Sequence, residues 1–307
     1  MSLSIVAVLA LLLAGQQADP PSRTEGDPTR LAPVDVTGRL AGMSLEERID
    51  SFVDSVVAPV GRYGPARWRH DVCVGAINFQ PAAAQVIVDR VSEVALELGL
   101  VPEDPGCEPQ VLIVATNDGP ATAAGLVERS PRLFSLGGEG MELGPSALAR
   151  FASNDRPVRW WHMSMPVDAD TGGRVIRLPG DGTDLEDQIL VSKFVASRLD
   201  SATRDNLVRV VIIVDTTRLG ETSFVQLADY VAMISMAQID PEADVTSHNS
   251  VLNLFHDPAG TPGLTDWDIA YLKGLYRARL DSVSQISRIG AVERSMAEQE
   301  RGRQAAD

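Results

Sequence analysis

The sequence predicts an α+β fold: a mixed β-sheet with packed helices in a single domain. Three observations carry this. Apolar runs of strand length, PQVLIVAT (109–116) and NLVRVVIIVD (206–215), alternate with segments of helical spacing. A long helical segment, 80–100, separates the first two strands as a crossover between parallel neighbours would. Two helical segments, 222–238 and 264–276, then follow in succession, which departs from strict β-α alternation. With 307 residues and 44% hydrophobic content, the chain can bury a sizeable core.

Each element has a local cause. Ser44 followed by Glu47 is a capping signature, and Leu45, Ile49, Phe52, Val53 and Val56 fall on one helical face. GRYGPARW (61–68) breaks that helix, and DVCVGAI (71–77) has the length of a first strand. Pro81 in its first turn and Gly99 near its end bound the helix at 80–100. SALARFAS (146–153) is a short helix, and PVRWWHMSMPV (157–167) a strand with aromatic alternation. DADTGG (168–173) and PGDGTDLED (179–187) read as acidic turns. QILVSKFVASRL (188–199) and NLVRVVIIVD read as two strands joined by DSATRD (200–205). The resulting division is a signal peptide over 1–18, a Pro-, Asp-, Arg- and Thr-rich disordered leader over 19–40, the α+β domain over 41–281, and a helical tail over 282–307. In the tail Ile286, Ile289, Val292 and Met296 form only a thin apolar stripe, which predicts a peripheral helix.

A formal charge of −15 argues against a nucleic-acid backbone as partner, which needs clustered Lys and Arg. SIVAVLALLLAG (4–15) is too short to span a bilayer and is followed by small and polar residues, as an export signal is, with cleavage at Ala14 or Ala18. Gln16 stands where a lipidated cysteine would have to be, so lipidation is not expected. The mature chain is therefore expected to be periplasmic or extracellular, with no membrane span. Its two cysteines, Cys73 and Cys107, read as a disulfide, with two buried thiols as the alternative.

The helix FVQLADYVAMISMAQ (224–238) raises the question of chemistry. On a zinc-peptidase helix, His-Glu-x-x-His sets two imidazoles one turn apart around a catalytic glutamate. In that register this chain has Gln226 and Tyr230 at the histidine positions, Leu227 at the glutamate and Met236 at a third ligand position. Downstream, SVLNLF (250–255) is similar to the Ser-Ile-Met-Asn turn of the metzincin branch of zincins. LTDWDIAYLKGLY (264–276) resembles that family's closing helix through Leu264, Asp268, Leu272, Leu275 and Tyr276. The chain as a whole also resembles exported proteins of alphaproteobacteria with this degenerate arrangement. The resemblance implies a zincin-like fold over about residues 70–280 without the zinc ligands or the catalytic glutamate. Neither a metal nor another cofactor is then expected.

Gln226, Asp229, Tyr230 and Met233 mark the face where peptidase chemistry would sit, and so define a candidate remnant cleft. Gln226, Asp229 and Met233 recur at i, i+3 and i+7. Asp229 is either the polar floor of that cleft or a hydrogen-bonded core carboxylate fixing the closing helix. The function expected from this is non-catalytic: a binding or structural role toward an unknown ligand or protein partner. One alternative is a hydrolase using Asp229 and Asp268 with a histidine, which requires environments that separate their pKa values. Another is a calcium-stabilised envelope module using DPEADVTSHNSV (240–251), whose oxygen-bearing residues alternate but which lacks the central glycine and final glutamate of a calcium loop. His162 reads as a strand-face residue, and His248 and His256 flank the SVLNLF turn.

Overall fold

The computed structural model describes residues 42–59, 64–137, 140–175, 201–282 and 284–306. The signal peptide, the leader, the turn at 179–187 and the strand expected at 188–199 lie outside the described residues. Helix α1 (Leu45–Val56) begins on the Ser44–Glu47 capping box and buries Ile49, Phe52, Val53 and Val56. Two short strands follow, β1 (Asp71–Val72) and β2 (Val74–Ile77), then helix α2 (Pro81–Glu97) and strands β3 (Val101–Pro102) and β4 (Val111–Thr116). Helices α3 (Gly119–Arg129) and α4 (Pro145–Ser153) precede the long strands β5 (Val158–Asp168) and β6 (Thr203–Asp215). Helices α5 (Phe224–Met236), α6 (Asp266–Arg277) and α7 (Gln285–Ala306) complete the chain.

The main sheet has the order β2-β4-β6-β5. Strands β2, β4 and β6 run parallel, and β5 is an antiparallel edge with a register shift between Met163 and Ser164. Alternation along β6 divides the apolar residues between two layers. Val210, Ile212 and Val214 join the larger core with residues of α1, α2, α5, α6 and α7. Val211 and Ile213 meet Ala123, Phe134, Phe151 and Trp161 on the opposite face. The α+β class with a mixed sheet and packed helices is thus present.

Cys73, between β1 and β2, is joined to Cys107 in the loop before β4, with 6.0 Å between their Cα atoms. The parallel register Val74↔Val111 is what brings these two strand starts together.

Three sequence expectations change. Helix α3 lies in GPATAAGLVER, a segment without an apolar period; Asp118 caps it and Pro120 stands in its first turn. Thr203, Arg204 and Asp205 belong to β6 rather than to a connection. The tail helix is not peripheral: α7 packs against α6 and α1, with Val292 and Met296 fully buried, while Ile286 is exposed. Its apolar stripe is thin because it also buries Arg288, which pairs with buried Asp205 at 3.5 Å and donates to the Thr203 carbonyl at 3.2 Å. Glycine at 274 permits the approach, since a Cβ there would lie 2.9 Å from the Met296 backbone nitrogen.

Candidate functional site

Helix α5 packs against α2 and contributes a continuous run of buried residues from Leu227 to Met236. Ser223 caps it. The Ser223 hydroxyl accepts from Gln226 N at 3.2 Å, and Gln226 Oε1 accepts from Ser223 N at 2.8 Å. The amide of Gln226 then donates to the carbonyls of Pro258 (2.7 Å) and Thr261 (2.6 Å). Gln226 therefore joins the start of α5 to the loop before α6. Its signal was readable in sequence as Ser-x-x-Gln, a second capping box.

Asp229, one turn on, is 7% exposed. One oxygen accepts from Arg90 Nε of α2 at 2.5 Å, and the other from the Leu264 backbone N–H at 3.0 Å. The chain passes so close that a Cβ on Gly263 would lie 2.1 Å from Asp229 Oδ2. Asp229 is a buried, hydrogen-bonded carboxylate that positions the approach to α6. Met233 is fully buried in the larger core.

Tyr230 behaves differently. It lines an open pocket of about 410 Å³ with Arg156, Trp160, Leu252, Phe255 and His256. Its ring meets Phe255 edge-on at 5.0 Å and Trp160 at 6.0 Å. Trp160 is itself held by a hydrogen bond from its indole to the Ile239 carbonyl at 3.0 Å. The Tyr230 hydroxyl has no hydrogen bond among the described residues. Burial pushes its pKa up, against the opposing charge of Arg156. Of the four candidate residues only Tyr230 reaches this pocket, so the stripe does not form one cleft. Asp240 also lines the pocket, with one carboxylate oxygen accepting from Glu242 N, and Arg156 at the rim is paired with Glu242 at 3.1 Å; the aromatic walls between them suit an apolar or aromatic group.

The segment after α5 is pinned by a buried carboxylate. Asp268, 0% exposed, accepts from the Ser250 hydroxyl (2.6 Å), Val251 N (2.8 Å), Thr265 N (3.0 Å) and the Thr265 hydroxyl (2.9 Å). Burial raises its pKa even against these four donors. Neither Asp229 nor Asp268 lines the pocket at Tyr230, so the carboxylate-hydrolase alternative gains no support. Tyr276, at the end of α6, donates to the Met236 carbonyl at 2.9 Å and ties the closing helix to the last turn of α5.

Among the histidines, His162 is buried on β5 with Nε2 2.8 Å from the Ile234 carbonyl, and burial lowers its pKa to about 4. His248 is buried in an aromatic cluster with Phe52 and Trp267, its pKa lowered by desolvation and then by Arg48. In the acidic loop, Asp240 accepts from Glu242 N (2.8 Å), and Asp244 from Thr246 N (3.2 Å) and its hydroxyl (2.7 Å). These are turn-forming bonds. Among the described residues no three His, Cys, Asp or Glu side chains converge as metal ligands, and no helix is long and apolar enough to cross a membrane. Compared with protein-family models, curated proteins and solved structures, the chain shows no match.

Proposed function

We propose that this chain is an exported, non-catalytic binding protein on a scaffold like that of the metzincin-branch peptidases, and that its ligand presents an apolar or aromatic group to the pocket at Tyr230. The observation that carries the reading is the fate of the two histidine positions. Gln226 spends its amide on three backbone partners, and Tyr230 forms an aromatic wall of a pocket of about 410 Å³. Element order supports the scaffold: an antiparallel edge strand, a buried helix, a Ser250-capped turn and a closing helix whose Tyr276 returns to the buried helix. Leu252 of that turn lines the same pocket. The disulfide and the segment 1–18 support export.

Two measurements test the reading. Metal analysis of the purified protein with a broad peptidase assay is expected to give neither stoichiometric zinc nor cleavage; zinc with chelator-sensitive cleavage would overturn it. Trp160 lies in the pocket, so titration with small aromatic compounds is expected to change tryptophan emission saturably, and Tyr230→Ala to abolish the change. An identical response in that variant would remove the pocket from the proposal.

A further inference from the structure

A second pocket, of about 340 Å³, shares no lining residue with the first. Its charged lining is three arginines, Arg67, Arg69 and Arg204, beside His70, in a chain of net charge −15. The backbone brings these residues together. The segment leading into β1 runs beside the start of β6, with Arg67 bridged to Asn206 and the Arg67 carbonyl accepting from Leu207 N at 3.0 Å. Arg67 and Arg69 therefore stand beside Arg204. Leu98 and Leu100, at the end of α2, and Tyr276 form an apolar wall.

The guanidinium groups are poorly satisfied by the protein. Arg67 donates to the Leu275 carbonyl and lies over the Tyr276 ring at 6.0 Å. The side chains of Arg69 and Arg204 make no hydrogen bond or ion pair with described residues, and Arg204 Nε is buried without a partner. Arg69 and Arg204 both line the cavity, so their terminal guanidinium nitrogens are free to donate to an acceptor that enters it. Like charges add to the cost: Arg204 feels Arg69, and Arg67 feels Arg204. Asp168, Asp170 and Asp281 lie within electrostatic range of Arg204, but none lines the pocket.

We propose that this pocket is a binding site for a phosphoryl group, with Arg67, Arg69 and Arg204 as its donors. Planar guanidinium forks match oxyanions bidentately, and three of them offer more donors than the two oxygens of a carboxylate can accept. The chemistry admits inorganic phosphate or a small phosphate ester whose organic part rests on Leu98, Leu100 and Tyr276.

Calorimetric titration of the purified chain at fixed ionic strength tests this, with inorganic phosphate, phenyl phosphate, benzoate and chloride as probes. Phosphate is expected to bind saturably. Arg69→Gln and Arg204→Gln should each weaken it by about tenfold, the loss of one charge-assisted hydrogen bond. Arg129→Gln, at an exposed arginine of α3 that lines neither pocket, should leave it unchanged. Phenyl phosphate that binds tighter than phosphate and loses that affinity in Arg204→Gln identifies an ester as ligand, and equal affinities identify free phosphate. Arg204→Lys keeps the charge but loses the fork, so weakened binding with an unchanged circular-dichroism spectrum supports the site even if a glutamine variant misfolds. No saturable phosphate binding, equal binding of benzoate or chloride, or full affinity in the folded variants would overturn the proposal.

Discussion

The Ser250 hydroxyl donates to Asp268 at 2.6 Å across 18 residues of sequence, both groups being buried. That bond, with the one from Val251 N, fixes the turn after α5 against the first turn of α6. Replacing Asp268 with alanine strands four donors at once. The expected cost is about 3–5 kcal/mol in urea denaturation. Ser250→Ala removes one donor and the cap on Leu252 N but leaves the carboxylate three other donors, so about 1–2 kcal/mol is expected. Equal effects of the two would show that Asp268 is not the organising group.

Gly263 faces Asp229 where no side chain fits. Gly263→Ala is expected to destabilise by about 1–3 kcal/mol through overpacking. In a double-mutant cycle with Asp229→Ala, which empties the contested space, the two costs should fall short of additivity by more than about 0.5 kcal/mol. Strict additivity would place the strain elsewhere.

His162 sets a pH window. Its folded pKa, about 4, lies below the ordinary 6.5, so between those values the unfolded chain binds the proton and the native chain does not. The stability this neutral imidazole contributes is complete above pH 6.5, falls as pH drops toward 4, and is lost below that. The loss is about 3 kcal/mol. His162→Gln, whose amide can still donate to Ile234, should flatten the stability curve across that window. An unaltered slope would refute the assignment.

Reduction of the Cys73–Cys107 bridge, which closes a 34-residue separation, should cost about 4 kcal/mol in the chain-entropy model. Denaturation with and without reductant measures it. A loss below about 1 kcal/mol would mean that the β2–β4 register holds this region unaided.

The Tyr230 hydroxyl supplies a contrasting case. With no hydrogen bond among the described residues, its removal in Tyr230→Phe should leave stability within about 0.5 kcal/mol of the parent. A larger loss would reveal a partner for that hydroxyl.

Strands β4, β5 and β6 and helices α1, α2, α5 and α6 were legible in the sequence because each carries an uninterrupted apolar period or a capping pair. Helix α3 escaped because alanine and glycine dominate it, and its buried face, Gly119 and Ala123, is too small to register as apolar. The burial of α7 escaped because Arg288 counts as a solvent-facing residue until Asp205, 83 positions away, is seen opposite it. The site shows the same limit. Spacing put Gln226, Asp229, Tyr230 and Met233 on one helix, but contacts distant in sequence decide which of them meets a cavity. Trp160 and Phe255 bring Tyr230 to one, while Arg90 and Leu264 engage Asp229 in the core. The basic pocket was invisible for a similar reason, since Arg204 lies more than 130 residues from Arg67 and Arg69.

The packing of α7 on α1 has a temporal side. Arg301 reaches Glu46 at 2.8 Å over a separation of 255 residues, and α7 packs against the helix that buries Ile49, Phe52, Val53 and Val56. A chain emerging from the ribosome presents α1 long before its partner α7. Until about residue 300 is free, one side of α1 has no cover, and the larger core stays open to chaperones. A polypeptide so arranged closes its larger core only once its last helix is free to pack.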